Sequence, residues 1–133
     1  MPFRIPMILS ENSIDDIKNY NQIHAQDHQD IAGWLNSLAN AYGLSVTCTY
    51  YSLPIFDPKD KNSMALFFDT NWKQHMVFYD LMNLIGNKLT LPVFTFPRNY
   101  PSGNWDMDIE SFVLHEYSIH ATMWRAIEIL KRG

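Results

Sequence analysis

Three stretches decide the fold: YNQIHAQDHQDIAGWL (20–35), FFDTNWKQHMVFYDLM (67–82) and FVLHEYSIHATMWRAI (112–127). Each carries a histidine with a polar residue four places before it. The pairs are His24–His28, Asn71–His75 and Glu116–His120. From His28 to His75 is 47 residues, and from His75 to His120 is 45. Each pair is followed by an apolar helical run that ends near a glycine: Gly43, Gly86 and Gly133. A local pattern that recurs at a nearly fixed period marks a repeated structural unit.

Working outward, apolar residues recur at helical spacing around each pair. In the first stripe Ile17, Tyr20, Ile31, Leu35, Leu38 and Tyr42, with Trp34 beside them, leave a gap that His24 and His28 fill. The second stripe is Met64, Phe67, Phe68, Phe78, Met82 and Ile85, enclosing Asn71 and His75. The third is Ile109, Phe112, Val113, Ile119, Met123, Ile127 and Leu130, enclosing Glu116 and His120. The predicted helices are 14–42, 64–85 and 109–131. Ser13 with Asp16 reads as the first cap, Asn62 or Ser63 as the second, and Asp106 or Asp108 as the third. Gly33, inside the first helix, costs about 1 kcal/mol relative to Ala, and close approach of another backbone would account for it.

Between the helices, SVTCTYY (45–51) is β-branched and aromatic and reads as a strand. LTLPVFTF (89–96) is strand-like, and Pro92 restricts it to an edge or an extended segment. SLPIF (52–56) and TLPVF (90–94) resemble each other and extend the repeat. Residues 1–12, with Pro2 and Pro6 among Phe3, Ile5, Met7, Ile8 and Leu9, read as an extended arm. The expected architecture is mainly α. It is a single domain over 1–133, a three-helix bundle running up-down-up, with internal repeats, an extended N-terminal arm and a small β or extended element from the connectors.

A net charge of −4 and the absence of any Lys/Arg cluster argue against nucleic acid as a partner. No apolar run approaches transmembrane length, and the first residues do not read as a signal peptide. Cys48 is the single cysteine, which excludes an internal disulfide and leaves a small buried hydrophobe. Aromatic residues make up 14% of the chain, enough for some to serve an interface. Phe3, Ile5, Ile8, Phe56, Phe94, Phe96 and Trp105 are the candidates for that role.

The key histidines fall near mid-helix, so three packed helices bring them to one level. The expected result is a buried polar layer of His24, His28, Asn71, His75, Glu116 and His120. Three readings of it compete. In the first it is a hydrogen-bond network that fixes helix register, with Glu116 favouring a protonated histidine. In the second His24, His28, His75, Glu116 and His120 ligate Zn²⁺ or Fe. The Glu-x-x-His pairs of the four-helix di-iron bundles are absent, however. In the third these are surface histidines without a role. His115 lies off the repeat register and is expected at the surface. There is no Gly-rich phosphate loop, no His-Glu-x-x-His and no nucleophile elbow, so no catalytic residue is assigned.

Helices of the form Trp/Phe-x₃-His/Asn-x₃-His, repeated within a chain of this size, resemble those of small virion structural proteins of tailed bacteriophages. The matching stretches are Tyr20–Trp34, Phe67–Met82 and Phe112–Trp124, about half the chain. Asn71 and Glu116 depart from the pattern by replacing its first histidine. The resemblance implies a non-enzymatic virion component, assembled in the host cytoplasm at the capsid, head–tail junction or tail. It would contact other virion proteins and copies of itself, and would need neither cofactor, nucleic acid nor membrane. Residues 1–12 and the connectors 45–56 and 89–105 are the expected contact segments. The alternatives are a His-rich helical metal-binding domain using Zn or Fe, which includes a metalloenzyme, and a small cytoplasmic peptide-binding adaptor.

Overall fold

The computed structural model describes residues 14–97 and 109–133, with side chains described for 17–97 and 112–133. The arm at 1–12, the capping residues Ser13, Asp106 and Asp108, and Trp105 lie outside the described residues. Three helices, α1 (Ile14–Ala41), α2 (Lys61–Lys88) and α3 (Ile109–Lys131), pack so that each touches the other two. Among the described residues the fold is a three-helix bundle without strands.

The bundle does not run up-down-up. Residues at the same place in each repeat meet at the same height. Phe67 and Phe112 stack edge-on near one end, with ring centroids 5.8 Å apart. Both His24 and Asn71 hydrogen-bond Glu116. One turn further along, His28 and His75 both reach His120. Near the far end Tyr42 donates to the Leu130 carbonyl at 2.6 Å. Only three parallel helices give this succession of contacts. Parallel neighbours also explain the connectors, which occupy 42–60 and 89–108. A helix of 28 residues is roughly 42 Å long, and about twenty extended residues can span that distance on the way back.

The first connector can be followed along its return. Asn36 Oδ1 accepts from the Cys48 amide, and the Gln74 side chain joins the Thr49 carbonyl and the Tyr51 amide. Asn21, near the N-terminal end of α1, then holds both the amide and the carbonyl of Phe56. Asn83 grips Phe94 in the same two-bond fashion at the C-terminal end of α2. Side-chain amides thus satisfy backbone groups that a strand ladder would otherwise pair. The strand readings of 45–51 and 89–96 therefore give way to irregular connectors laid along the helices. The likeness of SLPIF to TLPVF is also not positional, because Phe56 and Phe94 lie at opposite ends of the bundle.

Helix ends differ from expectation at both ends of α2. Asp60, not Asn62 or Ser63, caps α2, accepting from the amides of Asn62 and Ser63 at 3.0 and 3.2 Å. A carboxylate there satisfies free amides and meets the positive end of the helix dipole. Gly86 is inside the last turn of α2, close against the Phe94 ring, and the chain leaves the helix through Thr90 at φ 58. α1 ends as expected at Gly43, whose φ of 76 lets the Leu44 amide reach back to Ala39. Gly33 faces solvent with no neighbour near its Cα, so close backbone approach does not explain it.

The core has two apolar parts. Tyr20, Phe56, Met64, Phe67, Phe68, Phe112 and Val113 fill the end where the helices begin. A larger, mostly aliphatic cluster that includes Leu35, Met82 and Ile127 fills the rest. Phe56 and Phe96, expected at an interface, are buried within these clusters, and Phe94 is half-buried against the second. Between the two parts lies the polar layer.

Candidate metal centre

The parallel arrangement turns the repeat into two stacked tiers. His24, Asn71 and Glu116 form one, and His28, His75 and His120 form the other. All six are at least 96% buried. Each tier takes one residue from each helix, so the second tier is a ring of three imidazoles around the bundle axis.

Five side chains bring donor atoms together in two triads that share His120: His24, His28 and His120, and His75, Glu116 and His120, each within 4.8 Å. Nε2 of His120 lies 3.3 Å from Nε2 of His28 and 3.3 Å from Nε2 of His75. Glu116 Oε2 is 3.2 Å from His120 Nε2, 3.2 Å from His24 Nε2 and 3.5 Å from His75 Nε2. Ligands held about 2.0–2.2 Å from a common ion at tetrahedral angles lie roughly 3.3–3.6 Å apart. The spacings found match that separation.

A second carboxylate stands behind the ring. Asp27 Oδ2 contacts His120 Nδ1 at 2.5 Å, and its Oδ1 accepts from Trp124 Nε1 at 2.9 Å. A carboxylate on Nδ1 fixes the ring and directs the Nε2 lone pair forward, the usual support for a metal-ligating histidine. The sequence reading missed Asp27. Its signal was present: Asp27 is a polar residue on the apolar side of α1, one place before a key histidine, and Gln74 is its buried counterpart in the second repeat.

Burial sets the electrostatics. It pushes His24 and His28 below their ordinary value, Glu116 partly offsetting the effect at His24 and neighbouring imidazoles reinforcing it at His28. Burial also takes His75 down to about 3. At His120 burial acts the same way, but Asp27 and Glu116 outweigh it and lift the ring to about 8. Burial alone would raise Glu116. His75 and the hydrogen bonds from His120 and His24 win instead and hold it well below the usual carboxylate range. Near neutral pH the Glu116 carboxylate thus faces a cationic His120 imidazole, whose other nitrogen meets Asp27. Among the described residues no Lys or Arg is buried beside them.

His115 is exposed and takes no part in the cluster. Cys48 is buried, its thiol pushed up to about 11 by burial; its amide donates to Asn36 and its thiol lies near the Thr49 carbonyl. No described helix is long and apolar enough to cross a membrane. Comparison with protein-family models, curated proteins and solved structures gave no match.

Proposed function

We propose that this domain binds one divalent transition-metal ion, zinc or iron, at the centre of the bundle. His75 and His120 supply two nitrogens and Glu116 an oxygen, and His24 and His28 stand beside them as further donors around His120. The observation that carries the reading is the convergence of His75 Nε2, His120 Nε2 and Glu116 Oε2, 3.2–3.5 Å from one another, with Asp27 behind His120 and His24 and His28 beside it. A nitrogen-rich donor set with one carboxylate suits zinc or iron and disfavours calcium or magnesium.

The competing role is a metal-free hydrogen-bond layer that sets helix register. Native mass spectrometry of untagged protein prepared without chelator, then given equimolar Zn²⁺ or Fe²⁺ anaerobically, separates the two. One ion per chain, lost in the double variant His28→Ala/His75→Ala, is expected. A chain that stays metal-free with both ions is incompatible with the proposal.

A second reading, a structural component of a tailed-phage virion acting through protein–protein contacts, draws support from a different observation. Ile55 and Val93 are 69% and 79% exposed, each next to a phenylalanine turned inward by an asparagine clamp. Such apolar points suit contact with another chain. Under this reading the protein forms a defined oligomer, and Ile55→Ser/Val93→Ser dissociates it in light scattering. A native chain that is monomeric at high concentration removes the support from self-assembly.

A further inference from the structure

Resting on the metal reading, one tier of the centre is incomplete, and the gap faces a cavity. The upper tier supplies three imidazoles. The lower supplies His24 and Glu116, but at the place given by the repeat α2 carries Asn71, a poor ligand. Beside Asn71 a cavity of about 30 Å³ lies between α2 and α3. Its lining runs from the buried His75 and Glu116, past Phe68 and Phe112, to the exposed His115. A space of roughly 10–15 Å³ holds one water, so this one accepts a water or a molecule of two or three non-hydrogen atoms.

Asn71 lines this cavity and has one polar atom to offer a guest. Its Nδ2 donates to Glu116 Oε1 at 2.8 Å, which fixes the amide. Its Oδ1 is buried and has no hydrogen-bond partner. A buried acceptor left unpaired costs about 1–3 kcal/mol, and a ligand that brings a proton to it removes that cost.

We infer that the ion keeps one coordination position open toward this cavity, occupied by water and exchangeable for a small, neutral, proton-bearing molecule such as hydrogen peroxide, with Asn71 Oδ1 accepting that ligand's proton. Neutral ligands are favoured because the cavity is lined mostly by apolar side chains, among them Phe68, Met76, Phe112 and Ile119. An open position distinguishes a reactive centre from a purely structural one. His115, which is exposed, lines the same cavity.

The test uses full-length protein loaded with Co²⁺, whose electron spin resonance broadens when water enriched in ¹⁷O is coordinated. The expected result is one Co²⁺ per chain, a broadened signal, and loss of broadening in Asn71→Leu at unchanged Co²⁺ content. Asn71→Ser, which keeps a small polar group and more room, should retain the water. Co²⁺ bound without broadening in the native chain overturns the open position and leaves the metal reading standing. Failure to take up Co²⁺ overturns both. Broadening that persists unchanged in Asn71→Leu overturns the role of Asn71. Because the native chain alone decides whether water is bound, an unstable variant does not protect the proposal.

Discussion

Asp27 shows how much one side chain outside the ring of donors controls. It touches no other donor atom of the cluster, yet it holds His120 by Nδ1 and is itself held by Trp124. Replacing it by Asn keeps the shape and an acceptor for one neighbour but removes the charge that orients and enriches the imidazole. Loss of such a supporting carboxylate typically weakens metal binding about 10- to 100-fold. Asp27→Asn should therefore lower Zn²⁺ affinity by that factor in a competition titration while still binding one ion per chain. Affinity equal to the native value would show that Asp27 serves packing alone. Gly33 makes the contrasting case. It is exposed in mid-helix with open space around it. Gly33→Ala should stabilise the chain by about 0.5–1 kcal/mol through helix propensity and a stiffer unfolded state. A lower urea midpoint would reveal a contact that open space does not suggest.

At the level of elements, the asparagine clamps do the work of a sheet edge. Asn21 and Asn83 each satisfy an amide and a carbonyl of a connector that has no strand partner among the described residues. Truncating either leaves two backbone groups to find water or go unpaired. Asn21→Ala and Asn83→Ala should each cost roughly 1–3 kcal/mol in urea unfolding. Asn21→Ala should do so with helical circular dichroism unchanged, since the clamp ties a connector to a finished helix. A cost near zero would mean that the connectors are held by Phe56 and Phe94 packing instead. These clamps also mark where the sequence stops being legible. The three helices follow from apolar periodicity, and their bounds differ by three residues at either end of α2. The connectors looked like strands because they are β-branched and aromatic. That composition serves instead to lay apolar side chains over the helices, while polar side chains from α1 and α2 take up the hydrogen bonds. No local pattern distinguishes a strand partner from an asparagine many residues away.

For the whole molecule, the direction of the helices was written in the connector lengths. Antiparallel helices in a bundle are joined by roughly 2–8 residues, whereas the intervals here are 42–60 and 89–108. Chains that long have a distance to cover, and parallel helices require it. Parallel packing is also what puts repeat-equivalent residues face to face, so the period of the sequence becomes a near three-fold arrangement in space. The buried layer follows from that period, whereas the second carboxylate and the cavity depend on Asp27 and Asn71, the places where the repeats differ.

The layer also makes stability depend on pH in a way that tests its charge state. In the metal-free chain His24, His28 and His75 are held below their ordinary value. Below about pH 6.5 the unfolded chain takes up protons that the folded one refuses, so stability falls with acid. Each such histidine contributes up to about 1.4 kcal/mol per pH unit, which makes the loss steep. Glu116, held low, adds a further loss below its ordinary value near 4.5. His120 acts in the opposite sense. Raised to about 8, it stabilises fully below about pH 6.5, and its contribution fades as pH rises through 8. The metal-free protein should be most stable close to pH 6.5, losing little toward pH 8 and much toward pH 5. Metal ligation requires the Nε2 atoms free of protons and releases the one on His120. Saturating Zn²⁺ should therefore raise stability more at pH 8 than at pH 6, tilting the optimum upward. Urea midpoints from pH 5 to 9, with and without Zn²⁺, measure both effects. A metal-free profile that is flat between pH 5 and 6.5 would contradict neutral buried imidazoles. A zinc-induced gain that is the same at pH 6 and pH 8 would contradict proton release from the ring of histidines.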